Sequence, residues 1–346
     1  MEESHKATDR LRSPLNYFGS KSRIASRIVK HFPNHHTFVD VFGGSAAVLL
    51  AKPPSAVEVY NDIDGDLVNF FRVLQDPDSY AKLCWALSHT LHSRAEFELA
   101  KQKTDDPVEA ARRFMVRQRQ SFGGKGYEWS YSVQKSIGGI ASVARRWQQG
   151  VEVLPAAKTR FHGVQIEQAD WREVMLRYDT PNTLFFCDPP YHPEVRVSGK
   201  YRHEFTARDH EQFVAFLPII RGMVVLSGYQ TDAYKALEHA GWKRKDFVLR
   251  THSSDFRSRR VESLWLSPAC ARGAESRKLF LSPIERMVEG ARQTHEFRVT
   301  STTQRIVKAI RKLNAAGRQP TMAAIARAVK MSPEHLCRRY RHLFVN

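Results

Sequence analysis

FVDVFGGSAAVLL, residues 38–50, places an apolar run, a Gly-Gly turn and a second apolar run in immediate succession. A short β-branched stretch closed by glycines reads as a buried strand, and the longer run after it as a helix. AVEVYN (56–61) follows as another strand and runs directly into Asp62, 22 residues after Asp40. Two parallel strands joined through a helix form the opening unit of an open α/β sheet. A carboxylate at the second strand tip can accept hydrogen bonds from both ribose hydroxyls of a nucleoside cofactor. Gly43 and Gly44 let a ligand approach the backbone closely. The G-x-G-x-x-G fingerprint is absent, so the loop is not shaped for a pyrophosphate. Taken alone, these residues equally describe an ordinary tight strand–helix turn followed by a solvated acid.

Working outward, further short apolar runs are expected as strands: TFVDVF as a whole (37–42), GVQIEQ (163–168), TLFFC (183–187) and MVVLS (223–227). DFVLR (246–250) and ESLWL (262–266) lie close enough to pair as a hairpin. Helical patterns such as RDHEQFVAFLPII (208–220) separate them, which predicts an α/β fold with helices on both faces of an open sheet. Between 75 and 160 the pattern becomes helical, as in DPVEAARRFMVRQRQ (106–120), and then loop-like in SFGGKGYEWSYS (121–132). This segment reads as an insertion. Residues 271–300 read as a linker, and 301–346 as a small all-α module. In that module one helix spans about 302–316, ended by Gly317; Thr321 caps a second, MAAIARAVK; Ser332 and Pro333 open a third.

The chain of 346 residues carries a formal charge of +18, which points to a polyanionic partner. The excess is local. Residues 272–346 hold 16 Lys and Arg against 5 Asp and Glu, and residues 94–160 hold 13 against 7. The remainder is close to neutral. No apolar run is long enough to span a membrane, and MEESHKATDRLRS lacks a secretory pattern. Cys84, Cys187, Cys270 and Cys337 have neither zinc-ligand nor redox-pair spacing, so no metal is expected. A cytoplasmic protein is expected, associated with the nucleoid through DNA.

TLFFCDPPY (183–191) ends a buried strand in a carboxylate, two prolines and an aromatic ring. In an open α/β sheet, ligands bind beyond the carboxyl ends of the strands. Asp188 and the proline carbonyls can accept hydrogen bonds from an exocyclic amino group, the rings of Pro189 and Pro190 stiffen the turn, and Tyr191 can stack on a planar base. An aromatic amine is a poor nucleophile because its lone pair is delocalised; accepting its N–H bonds favours a pyramidal nitrogen. Little base strength is needed, because the proton becomes acidic once nitrogen is alkylated. Upstream, in SPLNYFGSKSRIASRIVKHFP (13–33), Lys21 can pair with a carboxylate and Tyr17 can lie against a ring.

Four segments in this order resemble the Dam-like, D12 class of DNA adenine N6-methyltransferases: NYFGSK, FVDVFGGSAAVLL, VEVYNDIDGDLVNFF, and CDPPY followed by YRHEFT. The resemblance covers about residues 13–268, within a methyltransferase domain expected over 13–270, and implies a class I methyltransferase fold, an open seven-stranded, mostly parallel sheet. It implies S-adenosyl-L-methionine as cofactor, duplex DNA as partner and flipping of the target adenine into the pocket. Tyr17, Gly19, Lys21, Asp40, Phe42, Gly43, Gly44, Asp62, Asp170 and Asp188 are then the expected cofactor contacts. Asp188, Pro189, Pro190 and Tyr191 are expected around the adenine. Ser20 stands where the family commonly has glycine.

The insertion at 75–160 takes the place of a target-recognition region, with Arg117, Arg119 and Lys125 as candidate DNA contacts, joined by Tyr201. TMAAIARAVKMSPEHLCRRYRHLF (321–344) resembles a helix-turn-helix, with Ala324, Ile325, Ala328 and Val329 on its inner face and Arg338, Arg339 and Arg341 directed at DNA. A helical bundle with a solvated basic face, or a protein-docking domain, fits the same residues. A monomer is expected, with dimerisation on DNA as the alternative. Two other functions remain compatible: a DNA-binding regulator with a vestigial methyltransferase domain, and a methyltransferase acting on cytosine N4 or a protein amide.

Overall fold

The computed structural model describes residues 11–133, 135–195, 202–249, 260–271, 309, 321–329 and 331–332. Two compact units make up the chain, Met1–Arg277 and Lys278–Asn346.

Nine strands are described in the first unit: β1 (Thr37–Asp40), β2 (Val57–Asn61), β3 (Ser136–Ile137), β4 (Ile140–Ala141), β5 (Val164–Glu167), β6 (Thr183–Cys187), β7 (Met223–Gly228), β8 (Lys243–Leu249) and β9 (Arg260–Leu266). Seven form one sheet in the order β5-β2-β1-β6-β7-β9-β8. Neighbours pair in parallel from β5 to β7, and β9 runs antiparallel to both β7 and β8. This is the class I methyltransferase arrangement, and the hairpin expected from DFVLR and ESLWL closes its edge.

Side chains alternate across the sheet as its pleat requires. Phe38, Tyr60, Leu184, Phe186 and Val225 face one apolar layer. Val39, Val59, Phe185, Cys187, Val224 and Leu226 face the other. The first layer is completed by α1 (Ala25–Val29), α2 (Ala47–Ala51) and α3 (Gly65–Gln75). The second is completed by α9 (Trp171–Arg177), α10 (Ala207–Phe216) and α11 (Asp232–His239), through Trp171, Phe213 and Tyr234. Two covered faces explain why these strands read as unbroken apolar runs rather than alternating ones.

Between α3 and β5 the chain builds α4 (Pro77–Ser88), α5 (Arg94–Leu99), α6 (Pro107–Gln120), α7 (Ser142–Glu152) and α8 (Leu154–Phe161). Asp106 caps α6, accepting from Val108 and Glu109, with Pro107 in its first turn. Phe161 of α8 stacks on Phe71 of α3 at 4.3 Å and 8°, and Tyr60 packs against both rings. The helical insertion therefore shares its core with the sheet. SIGGIA (136–141) makes a hairpin, β3 with β4, that no apolar periodicity announces. Gly138 and Gly139 have φ of 60° and 79°, the left-handed pair that a two-residue hairpin turn needs.

In the second unit α12 (Met322–Val329) is described. Ala324 donates its N–H to Thr321 Oγ1 at 3.3 Å, the cap expected there. Its buried residues are Ile325, Ala326 and Val329, whereas Ala328, expected on the inner face, is exposed. At about 100° per residue, Ile325, Val329 and Ala326 span one arc, and Ala328 falls roughly 60° beyond its Ile325 edge. Of the helix expected at 302–316 only Ala309 is described, and it is helical; the helix expected after Ser332 lies outside the described residues, as do Tyr201, Arg338, Arg339 and Arg341.

Candidate active site

Because β5, β2, β1, β6 and β7 are parallel, their carboxyl ends lie along one edge, and the order reverses between β1 and β6. Asp40 ends β1, and Asp188 follows β6 directly. A cavity of about 540 Å³ opens at this switch point. Tyr17, Gly19, Lys21, Asp40, Phe42, Gly43, Gly44, Asp62, Asp170, Asp188, Pro189 and Pro190 all line it. Tyr191 does not. Its ring packs against Tyr229 at 4.6 Å, and its hydroxyl meets Lys21.

The glycine loop is held by its neighbours. Gly43 donates its N–H to the Asn61 carbonyl at 2.7 Å, and Gly44 to Asp62 Oδ2 at 2.8 Å. Asp64 N–H donates to the other oxygen of Asp62 at 2.9 Å. Gly44 has φ of 49°, and a methyl group on Gly43 would meet the Tyr60 ring at 2.2 Å. Tyr60 donates its hydroxyl to the Gly44 carbonyl at 2.7 Å. Asn61 bonds to Val41 and Ala169, tying the β1 and β2 tips to the chain leaving β5. Ser20 has a task of its own: its Oγ lies 2.7 Å from Ser45 Oγ, joining the N-terminal segment to the glycine loop.

Three of the carboxylates on this wall, Asp40, Asp62 and Asp188, stand at strand tips. Burial pushes Asp62 up to about 6, although the Asp64 and Gly44 amides oppose it. Burial likewise raises Asp188 to about 6, with Lys21 opposing and Glu262 reinforcing. Asp40 is held well above the usual carboxylate range by burial, with Asp188 and Asp62 adding repulsion. Its Oδ1 is buried and has no hydrogen-bond partner among the described residues. Such a wall favours a ligand that brings positive charge and N–H donors.

Lys21, 4% exposed, answers the Asp188 carboxylate directly. Its Nζ lies 2.5 Å from Asp188 Oδ1, 2.9 Å from Tyr191 Oη and 2.9 Å from Glu262 Oε1. Burial alone would lower its pKa; Asp188, Glu262 and Tyr191 outweigh that and hold it well above the ordinary lysine value. Asp188 keeps 16% exposure, and among the described residues only its Oδ1 accepts a hydrogen bond. One oxygen is thus anchored, and the other is left for a ligand.

Two partners in the site are not expected from sequence. Glu262 is one; a glutamate opening the otherwise apolar ESLWL is the available signal. Arg202 is the other. It lines the cavity and pairs with Asp64 at 2.9 Å and Asp66 at 2.6 Å, at the start of α3. Of the expected DNA contacts, Arg117 pairs with Asp66 at 2.9 Å and donates to the Ala100 carbonyl at 2.6 Å. The guanidinium of Arg119 lies against Gly150, its Nε buried without a hydrogen-bond partner among the described residues, and burial beside Arg146 lowers its pKa to about 10. Lys125 borders a second cavity of about 490 Å³, which Arg117, Tyr17 and Arg202 also line. Asp170 caps α9, accepting from the Arg172 amide.

The sheet order, the glycine loop and the acidic strand tips around one cavity define a class I methyltransferase. The chain belongs to the D12 class N6 adenine-specific DNA methyltransferases, whose family pattern matches residues 17–249. It is also similar to the modification methylase StsI of Streptococcus sanguinis, 36% identical over 66 residues, a stretch that is 19% of this chain and 10% of that protein. The match thus spans about a tenth of that relative's length. Among the described residues no helix is long and apolar enough to cross a membrane.

Proposed function

We propose that this protein transfers a methyl group from S-adenosyl-L-methionine to the N6 amino group of an adenine flipped out of duplex DNA. The observation that carries the reading is the division of labour at Asp188: Oδ1 is fixed by Lys21, while the carboxylate stays open to a cavity walled by Asp40 and Asp62. The residues present fit the cofactor. Asp62 at the β2 tip suits ribose hydroxyls, and the unpartnered Asp40 Oδ1 suits an N–H donor. A ligand carrying positive charge relieves the repulsion among three buried carboxylates. When bound, the cofactor supplies a methyl group on a cationic sulfur, which departs as a neutral thioether. Asp188 and the Pro189 carbonyl accept the N–H bonds of the target amine, localise its lone pair and orient it for in-line attack. With the methyl donor bound, the amine held by Asp188 would displace the methyl group from that sulfur, and Asp188 would accept the proton that the methylated nitrogen sheds.

In the same reading residues 75–160 recognise the target, with Arg117, Arg119, Lys125 and Tyr201 near DNA, residues 271–300 link, and residues 301–346 bind DNA as a helix-turn-helix-like module. The enzyme would work in the cytoplasm as a monomer, and the likeness to a modification methylase suits a restriction-modification role. Incubation of unmethylated duplex DNA with labelled cofactor, followed by nucleoside analysis, tests the proposal. N6-methyladenine is the expected product. N4-methylcytosine alone, or no methylated base across diverse DNA, would sink it.

A further inference from the structure

Glu262 on β9 is 4% exposed and is not part of the cavity wall. Its Oε1 nevertheless accepts from Tyr191 Oη at 3.2 Å and Ser227 Oγ at 3.2 Å and forms an ion pair with Lys21 Nζ at 2.9 Å. Lys21 directs its other short contacts to Asp188 and Tyr191. An ammonium has three protons to donate; here its acceptors are Asp188, Tyr191 and, at 3.5 Å, the Gly19 carbonyl, and Glu262 adds an opposite charge at 2.9 Å. The cation also sits 4.7 Å from the centre of the Tyr191 ring. One buried ammonium therefore fastens β9 to both ends of the Asp188–Tyr191 turn. Two carboxylates around one ammonium leave a single negative charge. Because Glu262 is enclosed, the member of the pair open to a ligand is Asp188.

We propose that Glu262 is a positioning residue for methyl transfer: by taking a share of the Lys21 ammonium and of the Tyr191 hydroxyl, it fixes the catalytic turn and keeps Asp188 a strong acceptor for the target amine. This rests on the reading of Asp188 as the amine acceptor. Without the Glu262 charge, Lys21 pairs with Asp188 alone. A carboxylate neutralised one-to-one by an ammonium attracts protons and N–H donors less strongly. The groups facing Asp188 are Lys21, which lowers its proton affinity, and Glu262, Asp40, Tyr191, Cys187 and Tyr234, whose negative forms oppose its ionisation. Of the two acids among these neighbours, Asp40 lines the cavity and Glu262 does not, so removing Glu262 leaves the cavity wall untouched.

The experiment compares wild type with Glu262→Gln in single-turnover methylation of duplex DNA from pH 5 to 8, at saturating cofactor, alongside cofactor affinity by calorimetry. The expected result is a plateau rate lowered roughly tenfold, less than the roughly hundredfold or more that a positioned proton acceptor itself contributes, because Glu262 acts through Asp188. The acid limb should move to lower pH, while cofactor affinity stays within about twofold, since the group acts by charge at Asp188 rather than at the cofactor. An acid limb left in place, or a cofactor affinity that falls in step with rate, would overturn the proposal in favour of a purely structural role. Should Glu262→Gln fail to fold, Glu262→Asp draws the carboxylate back by one methylene and retains the buried charge; it should move the limb the same way by less, and an unmoved limb counts against the proposal equally. Wild type inactive on adenine would instead overturn the reading of the site itself.

Discussion

Asp188 and Asp62 carry most of what this site does, and each makes a separable prediction. Asp188→Ala removes the acceptor that localises the amine lone pair, so turnover on DNA should be abolished with cofactor binding retained. Retention of near wild-type kcat would rule out the clamp. Asp62→Ala should mainly weaken cofactor affinity. Hydrogen bonds to a charged acceptor are worth on the order of 1.5–3 kcal/mol each, so removing even one ribose hydrogen bond weakens binding by roughly tenfold or more. An unchanged affinity by calorimetry removes Asp62 from the site. Both carboxylates are raised to about 6, so the accepting, ionised forms dominate above that pH and disappear below it. Because Asp62 is the carboxylate on which cofactor affinity mainly rests, cofactor binding should weaken as pH falls through about 6, and protons should be released when the cationic cofactor binds there. Titration calorimetry in buffers of different ionisation enthalpy measures that release directly.

At the scale of elements, the glycine loop, α3 and the insertion share one core through Tyr60. Its ring packs on Phe71 and Phe161, and its hydroxyl holds the Gly44 carbonyl. A side chain at Gly43 would collide with that ring. Gly43→Ala should cost roughly 1–3 kcal/mol as the ring is displaced, and it should weaken cofactor binding as the loop shifts. Thermal denaturation with and without cofactor checks both; a variant with wild-type stability and affinity would show the clash to be easily relieved. The same elements explain what is legible in the sequence. Asp40, Asp62 and Asp188 each interrupt or end an apolar run, so strand and tip can be read together. Glu262 and Lys21 lie at opposite ends of the first unit in sequence, and only the closing hairpin brings them together. SIGGIA is two residues per strand, too short for periodicity, although its paired glycines are a usable turn signal. Ala328 is apolar and so reads as inward, yet an alanine adds little to either face, and Ile325 and Val329 set the direction of α12.

At the scale of the whole molecule the question is how the basic charge is divided. Residues 278–346 hold 14 Lys and Arg against 4 Asp and Glu, while every side chain on the cavity wall belongs to Met1–Arg277. Removing 278–346 should therefore leave a folded protein that still binds cofactor, because the whole seven-stranded sheet remains. Affinity for long DNA should fall, and its salt dependence should become shallower. Each phosphate left without its basic partner lowers the slope of log K against log salt by roughly 0.9, so three ion pairs, such as Arg338, Arg339 and Arg341 could make, account for roughly 2 to 3 units of slope. Binding titrations of full-length and truncated protein across a salt series measure this. Equal slopes would mean that the C-terminal unit touches no phosphates and that its charge serves another partner. Failure of the truncated protein to bind cofactor would mean that the catalytic unit depends on residues beyond Arg277.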